Sequence, residues 1–232
     1  MTAECFKNRG SAYVTHPAGG MVGVMIAGVT GVILAGGASR RMGRNKALLK
    51  VGDATLIECV FHVMKTLFTE VIIITNKPKE YVFIPCRKEP DVYKGQGSIA
   101  GLHAGLYNST TERIFVVACD MPFLNADLIR LLCNNTDESE AVIPLNREGL
   151  REPLHALYAK STLPVLQEII EQGDKSILIL LDRIRTRLVP PEAYCSIAGA
   201  EDSFRNVNTP EEFLAIRERL LNVPRACVSA GY

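Results

Sequence analysis

The chain has no tryptophan and almost no excess of charge of either sign. Its 26 Lys and Arg residues are matched by 25 Asp and Glu residues, which leaves a net charge of +1. Unspecific binding of nucleic acid needs a broad positive field, so we expect no nucleic-acid partner. With 47% hydrophobic and 22% charged residues over 232 positions, the composition indicates a globular protein with a sizeable core.

The cysteines lack the spacing of a metal site or a redox motif. There are seven of them, an odd number, with no CxxC pair and no His at zinc-finger spacing. We therefore expect reduced, mostly buried thiols and a cytoplasmic protein.

An uncharged stretch over residues 18–38 raises the question of a membrane span or a secretory signal. Seven glycines fall within it, and glycine costs about 1 kcal/mol relative to alanine at each interior helix position. We therefore expect no membrane association. The simpler interpretation is a mobile leader over residues 1–28, one domain over residues 29–222 and a frayed tail over residues 223–232.

Short β-rich runs alternate with longer amphipathic stretches after the leader, which is typical of an α/β protein with a largely parallel sheet. Buried strands are predicted at Val29–Leu34, Val71–Ile74 and Arg113–Ala118, and a further strand near residues 82–85. Residues 54–68 are predicted as a helix because six apolar side chains recur on one face. No repeat or flexible linker interrupts this pattern, so we expect a single domain.

The segment after the first predicted strand combines two glycines with a cluster of cations. Residues 34–46 read LAGGASRRMGRNK and leave the strand at its carboxyl end, where open parallel sheets bind ligands. Gly36 and Gly37 let the backbone approach a ligand, and N–H groups in such a turn bind anions. Arg40, Arg41, Arg44 and Lys46 supply charge for phosphate oxygens. This combination predicts a polyphosphate site without P-loop or GxGxxG spacing; the alternative is a glycine turn beside a solvated basic stretch.

A lone carboxylate follows the predicted strand Arg113–Ala118. Residues 119–124 read CDMPFL, which places Asp120 at the same edge of the sheet. Mg²⁺ favours oxygen ligands and usually shares one or two carboxylates with substrate phosphates. We therefore predict Asp120 as a metal ligand and Mg²⁺ as the cofactor. The alternative, a cap for the next helix, fits Asn125 better.

These segments resemble the molybdenum cofactor guanylyltransferase family of nucleotidyltransferases. The resemblance rests on LAGGASRRMGRNK, on CDMPFL and on NVNTPEE at residues 206–212, and it extends over about residues 30–221. It implies an α/β fold that is Rossmann-like and doubly wound, with a mostly parallel sheet of the nucleotide-diphospho-sugar transferase type. It also implies transfer of GMP from GTP to the terminal phosphate of molybdopterin, with release of pyrophosphate and formation of the guanine dinucleotide cofactor.

The resemblance implies roles for individual positions. The implied catalytic residues are Lys46, Arg40, Arg41 and Asp120. The implied GTP-binding residues are Leu34, Ala35, Gly36, Gly37, Lys46, Asn76, Asp91 and Asp120, and the implied acceptor-binding residues are Asn206, Asn208 and His155.

Several of these positions also have a purely structural interpretation. Asp91 would accept from the N1 and N2 donors of guanine and so discriminate against adenine; the alternative is that Asn76 only ends its strand and that Asp91 lies in a surface turn. We expect one of Asn206 and Asn208 to enter the site, while Asn208 is equally a candidate helix cap. His155 lies between apolar residues in a predicted strand, where a lone His is more often a wall residue than a catalyst.

The chain departs from the family pattern at two points. Asn45 stands where the family often has Asp, so any role of that carboxylate is lost, and Gly97-Ser98-Ile99 replaces the usual Gly-Pro-Leu. Relatives that take CTP tend to read LAAG, so Gly36-Gly37 favours guanine over cytosine. A cytidylyl or sugar-phosphate nucleotidyltransferase, or a non-catalytic nucleotide-binding protein, remains the alternative. The expected partners are GTP and a molybdopterin-type cofactor, together with cofactor-insertion proteins or molybdoenzymes.

Overall fold

The computed structural model describes residues 14–15, 21–22, 24–36 and 45–222. Within these ranges, seven strands form the main sheet: β1 (Val29–Leu34), β2 (Val71–Ile74), β3 (Arg87–Glu89), β4 (Arg113–Ala118), β5 (Ala141–Pro144), β6 (His155–Ala159) and β7 (Thr186–Val189). The helices are α1 (Leu56–Leu67), α2 (Ser98–Asn108), α3 (Ala126–Asn134), α4 (Leu163–Glu171), α5 (Ile177–Arg183) and α6 (Pro210–Asn222).

Two short strand pairs lie outside the main sheet: Val14–Thr15 with Met21–Val22, and Lys50–Val51 with Ala54–Thr55. Ile26, in the segment assigned to the leader, donates its N–H to the carbonyl of Leu67 at 2.7 Å. The tail expected at residues 223–232 lies outside the described residues, as does most of the leader. In the part of the chain that is described, no helix has both the length and the apolar character needed to span a membrane.

The strand order of the main sheet is β7-β5-β6-β4-β1-β2-β3. All of the neighbouring pairs are parallel except those of β6, which runs antiparallel to both β4 and β5. The chain builds the sheet outward from β1 through β2 to β3 and then crosses to β4 on the other side of β1. The mostly parallel, doubly wound α/β fold is therefore confirmed, and the carboxyl ends of β1 and β4 meet where the strand order reverses, the usual ligand site of open α/β sheets.

Helices cover both faces of the sheet because alternate residues of a strand point to opposite faces. Ile33 of β1 packs in the core layer that contains α1 and α3, whereas Val32 and Leu34 pack in the layer that contains α2, α4 and α5. The six apolar residues that predicted α1 are all buried: Leu56, Ile57, Val60, Phe61, Met64 and Leu67. Thr55 and Glu58 begin this helix with a reciprocal capping box.

Two glycines let α2 approach β1 closely. A Cβ atom at Gly105 would lie 2.9 Å from Cγ1 of Val32, and one at Gly101 would lie 3.2 Å from Cδ2 of Leu34. The absence of these Cβ atoms lets the helix lie on the central strand, which brings the start of α2 to the carboxyl edge of the sheet.

The prediction of a strand near residues 82–85 is wrong. Residues 78–81 form a 3₁₀ turn, and the chain pairs with β2 only at β3, where Ile72 is opposite Arg87. Val82 is 75% exposed, so it does not supply the buried face that the prediction required. The true strand is short and charged, as edge strands often are, and hydrophobic pattern does not reveal it.

His155 lies in the core, which corrects its expected place at the acceptor. Its side chain is 0% exposed, and its ring lies edge-on to Phe115 and Phe204, with 5.3 Å between ring centroids in each case. Neither ring nitrogen has a hydrogen-bond partner among the described residues, and burial lowers the pKa of His155 to about 3. A contact with a bound acceptor does not fit this burial.

Replacing His155 with leucine should remove part of the pH dependence of stability. The folded chain keeps the ring neutral until about pH 3, but the unfolded chain binds a proton near pH 6.5, so the wild-type protein loses stability as the pH falls through 6.5. Between pH 7 and pH 5 this loss should be about 2 kcal/mol in the free energy of unfolding. His155→Leu should lack it.

Urea unfolding of both proteins at pH 7 and pH 5 measures this difference. His62→Gln is the control, because the ring of His62 is partly exposed, and it should retain most of the loss. An equal pH dependence in the wild-type protein and His155→Leu would contradict the burial of a neutral ring.

Candidate functional site

Backbone hydrogen bonds join the carboxyl ends of three strands around Leu34. The carbonyl of Leu34 accepts from the N–H of Cys119 at 3.1 Å, and the N–H of Ala35 donates to the carbonyl of Ile74 at 2.9 Å. Gly36 follows as an exposed residue. The segments that sequence patterns singled out therefore leave the sheet at one place. Four of the predicted residues, Gly37, Arg40, Arg41 and Arg44, lie outside the described residues.

A cation, a carboxylate and an amide meet beside this edge. The Nζ atom of Lys46 lies 3.9 Å from Oδ2 of Asp120 and donates a hydrogen bond to Oδ1 of Asn208 at 3.1 Å. The Asp120 side chain is 20% exposed, and burial raises its pKa while the charge of Lys46 lowers it. The hydrogen bond from Lys46 to Asn208 joins residues that are 162 positions apart in the chain.

Lys46 is placed by a short 3₁₀ turn. The turn spans Lys46–Leu48 and is capped by Asn45, whose Oδ1 accepts from the N–H of Ala47 at 3.1 Å. Ala47 is fully buried, so the turn is anchored in the core next to its lysine. This arrangement fixes the backbone from which the Lys46 side chain reaches Asp120.

Asn208 is placed by the segment that precedes α6. Val207 is buried, and its N–H donates to the carbonyl of Asp120 at 3.0 Å. The cap of α6 is Thr209, whose hydroxyl accepts from the N–H of Glu212 at 3.1 Å, while the Glu212 carboxylate accepts from the N–H of Asn208 at 2.6 Å. The interpretation of Asn208 as the helix cap is therefore wrong, and its side chain contacts Lys46. Asn206 is exposed.

Asn76 and Asp91 form a reciprocal pair beside Gly36. The Asn76 amide donates to Oδ2 of Asp91 at 2.7 Å, and its oxygen accepts from the N–H of Asp91 at 3.2 Å. The same Oδ2 atom lies 3.9 Å from the position that a Cβ atom at Gly36 would occupy. Burial raises the pKa of Asp91, and the Asn76 hydrogen bond opposes this rise. The polar atoms of Asn76 and Asp91 therefore lie next to Gly36, where no side chain blocks the approach of a ligand.

Asn125 and Cys119, which lie near Asp120 in the chain, do not supply a catalytic group. The Oδ1 atom of Asn125 accepts from the N–H groups of Asp127 and Leu128, so the expected cap of α3 is confirmed and Asp120 is not needed for it. Burial raises the pKa of the Cys119 thiol to about 12. The thiol next to the carboxylate is therefore neutral near pH 7 and is a poor nucleophile.

Two residues near Lys46 were not found from the sequence. Glu80 and Tyr81 accept hydrogen bonds from the Asn45 amide at 2.6 and 2.8 Å. They lie 35 and 36 positions further along the chain, in a turn without any motif. No periodicity or spacing pairs them with Asn45, so only the fold reveals the contact.

Two known proteins match most of this chain in sequence. A probable molybdenum cofactor guanylyltransferase from Pelotomaculum thermopropionicum is 36% identical over 188 residues, which cover 81% of this chain and 91% of the relative. A molybdenum cofactor guanylyltransferase from Desulfosudis oleivorans is 34% identical over 186 residues, which cover 79% and 92% of the two chains.

A solved structure shows the same fold. The molybdopterin-guanine dinucleotide biosynthesis protein A from Archaeoglobus fulgidus superposes with a TM-score of 0.72 at 29% identity, and the match covers 82% of this chain and 97% of that one. Residues 31–186, well over half of the chain, match the model of the MobA-like NTP transferase domain. This chain therefore belongs to the MobA-like NTP transferase family.

Proposed function

We propose that this protein transfers GMP from GTP to the terminal phosphate of molybdopterin and thereby forms the guanine dinucleotide cofactor. The observation that carries this proposal is the cluster of Lys46, Asp120 and Asn208 at the point where the strand order reverses. Membership of a nucleotidyltransferase family supports the reaction class. Relatives named as guanylyltransferases, at 36% and 34% identity, support the base and the acceptor.

The reaction needs no nucleophile or base from the protein. An oxygen of the acceptor phosphate, already ionised near neutral pH, forms the new bond to the α-phosphorus of GTP, and the bond to the bridging oxygen breaks to release pyrophosphate. The chain then contributes positioning and neutralisation of charge. Lys46 would contact the triphosphate, with Arg40, Arg41 and the backbone around Gly36 and Gly37 as further contacts.

The residues at the site fit a magnesium ion. Asp120 offers a carboxylate and Asn208 an amide oxygen, and both are hard oxygen donors of the kind that Mg²⁺ prefers. Among the described residues, no three His, Cys, Asp or Glu side chains are grouped so that they could hold a metal by themselves. A bound ion would supply positive charge to the triphosphate oxygens, with Asp120 as its protein ligand and the phosphates among its other ligands.

Base selection would lie with Asn76 and Asp91. The Asp91 carboxylate accepts one hydrogen bond from the Asn76 amide, whose oxygen also accepts from the Asp91 backbone N–H, and the carboxylate can accept from two donors on one edge of guanine. Adenine lacks that donor pair, and the absence of a side chain at Gly36 leaves room for a base to approach Asp91. These features favour GTP over ATP and CTP.

We also propose which proteins receive the product and in which compartment it forms. The product would pass to cofactor-insertion proteins or to molybdoenzymes, and the reaction would take place in the cytoplasm without a nucleic-acid or membrane partner. The net charge of +1 supports the absence of nucleic acid. Among the described cysteines, Cys86, Cys119, Cys133 and Cys195 are free thiols, which supports a reducing compartment.

Release of pyrophosphate tests the proposed reaction directly. With purified molybdopterin, Mg²⁺ and GTP, the protein should release pyrophosphate, and omission of the pterin should abolish the release. A preference for CTP would favour a cytidylyltransferase instead. Binding of GTP without release in the presence of molybdopterin would favour a nucleotide-binding protein without activity.

Asp120→Ala should abolish turnover and leave much of the affinity for GTP. We expect kcat to fall by about 10³-fold because the metal loses its protein ligand, and Kd for GTP to rise by less than about tenfold. Lys46→Ala should both lower kcat and raise Kd for GTP, since the Lys46 amine would contact the triphosphate before and during the reaction. Asp127→Ala, which removes an exposed acid in α3, is the matched control. A fully active Asp120→Ala enzyme would contradict the assignment of the metal ligand.

Asn208→Ala should impair the reaction more than Asn206→Ala. Only the first substitution removes the hydrogen bond to Lys46, and loss of one such bond to a charged group should lower kcat/KM by about tenfold or more. Steady-state kinetics of the two variants checks this order. The opposite order would show that Asn206, not Asn208, is the asparagine that enters the site.

Asp91→Asn should reduce the preference for GTP over ITP, which lacks the 2-amino group. Removing the carboxylate leaves the N1 and N2 donors of guanine without a full acceptor pair, and we expect kcat/KM for GTP to fall by about 10²-fold, with a smaller fall for ITP. Competition between the two nucleotides measures the ratio, and Asp174→Asn, at an exposed position, is the control. If Asp91→Asn keeps the wild-type ratio, another group reads the base.

A further inference from the structure

Asn45 connects the turn that carries Lys46 with a second turn, Pro78–Tyr81. Its amide nitrogen donates to Oε2 of Glu80 at 2.6 Å and to the hydroxyl oxygen of Tyr81 at 2.8 Å, while its oxygen accepts from the N–H of Ala47 at 3.1 Å. Both donor positions and the acceptor of the amide are therefore used. The side chain holds the backbone on either side of Lys46.

Glu80 and Tyr81, which accept hydrogen bonds from the Asn45 amide, are themselves held by other contacts. Tyr81 is 2% exposed and packs in the main core, and burial raises its pKa to about 12, so its hydroxyl stays protonated near neutral pH. Glu80 pairs with Lys77 at 3.1 Å, and its pKa is lowered chiefly by the hydrogen bond from Asn45. An ionised acceptor and a buried hydroxyl thus fix the position of the amide.

An aspartate at position 45 would not make the same contacts. A carboxylate has no donor at neutral pH, and it would lie against the Glu80 carboxylate at the 2.6 Å separation now bridged by an N–H group. Two carboxylates at such a distance repel each other unless they share a proton. Which side chain fits at position 45 without repulsion therefore depends on the side chain at position 80.

We propose that Asn45 is a positioning residue, which through Glu80 and Tyr81 holds Lys46 in place for the triphosphate, and that Asn45 and Glu80 act as a matched pair. The proposal rests on the proposed function, because it assumes that Lys46 contacts GTP. It predicts that KM for GTP depends on whether the side chains at positions 45 and 80 offer each other a donor and an acceptor, rather than on either residue alone.

A double-mutant cycle tests the pairing. Asn45→Asp should raise KM for GTP by about tenfold, the effect of one lost hydrogen bond to a charged group, and should lower kcat much less. Glu80→Gln should raise KM by no more than about threefold, since the glutamine oxygen still accepts from Asn45. In the double variant, the amide introduced at position 80 can donate to the carboxylate introduced at position 45, so KM should return to within about threefold of wild type. Asn45→Asp combined with Glu138→Gln, an exposed residue at the opposite end of the sheet, is the matched control and should not be rescued.

The pH dependence of KM separates positioning from a loss of folding. In Asn45→Asp, a proton shared by the introduced carboxylate and Glu80 restores a donor between them, so the defect should shrink as the pH falls from about 8 to about 6. Within the described ranges, the charged and titratable groups that face Glu80 are Lys77 and Tyr81, and burial raises the pKa of Tyr81 to about 12, so that its hydroxyl stays protonated between pH 6 and pH 8. An Asn45→Asp defect that is absent, constant with pH, or unchanged by Glu80→Gln would overturn the proposal.

A second measurement does not require activity. Trypsin cleavage after Lys46, followed by mass spectrometry, should be about tenfold faster in Asn45→Asp than in the wild-type chain and slow again in the double variant, because the turn opens when the amide contacts are lost. If the wild-type protein transfers no GMP, the proposed function fails, whereas the pairing is still read from this cleavage. Equal cleavage rates in all variants would overturn the pairing itself.

Discussion

The proposed site depends on one cation placed opposite one largely buried acid, at the point where the strand order of the sheet reverses. Lys46 and Asp120 approach to 3.9 Å, although they belong to separate segments of the chain. Asp120 is held by its position two residues after β4, and Lys46 by a 3₁₀ turn whose Ala47 is fully buried. The parallel pairing of β1 with β4 brings the two segments to the same edge.

Electrostatics explains why such an arrangement suits a nucleoside triphosphate. Burial raises the pKa of Asp120, which means that its charged form is less stable there than in water, and Lys46 offsets part of this effect. A site of this kind gains from additional positive charge, and a divalent cation would provide it. The triphosphate brings several negative charges, so the lysine and the metal together would neutralise the ligand in a place where solvent access is reduced.

Local signals predicted much of this architecture from the sequence, and long-range contacts account for what they missed. The helical face of α1, the Asn125 cap and the strands β1, β2 and β4 follow from periodicity and capping chemistry, which involve neighbours within a few residues. The charged edge strand β3 has no hydrophobic pattern, and the burial of His155 between Phe115 and Phe204 depends on residues that are distant in the sequence. Asn208 was ambiguous because a cap and a site residue need the same chemistry. The contact of Asn45 with Glu80 has no local signature at all.

Calorimetry of GTP binding with and without Mg²⁺ tests the central claim most directly. If one ionic cluster of protein, metal and triphosphate organises the site, GTP should bind at one site per chain, and its affinity should rise at least about tenfold when Mg²⁺ is present. Affinity for GTP that does not change with Mg²⁺, or no binding of GTP at all, would contradict this account of the site.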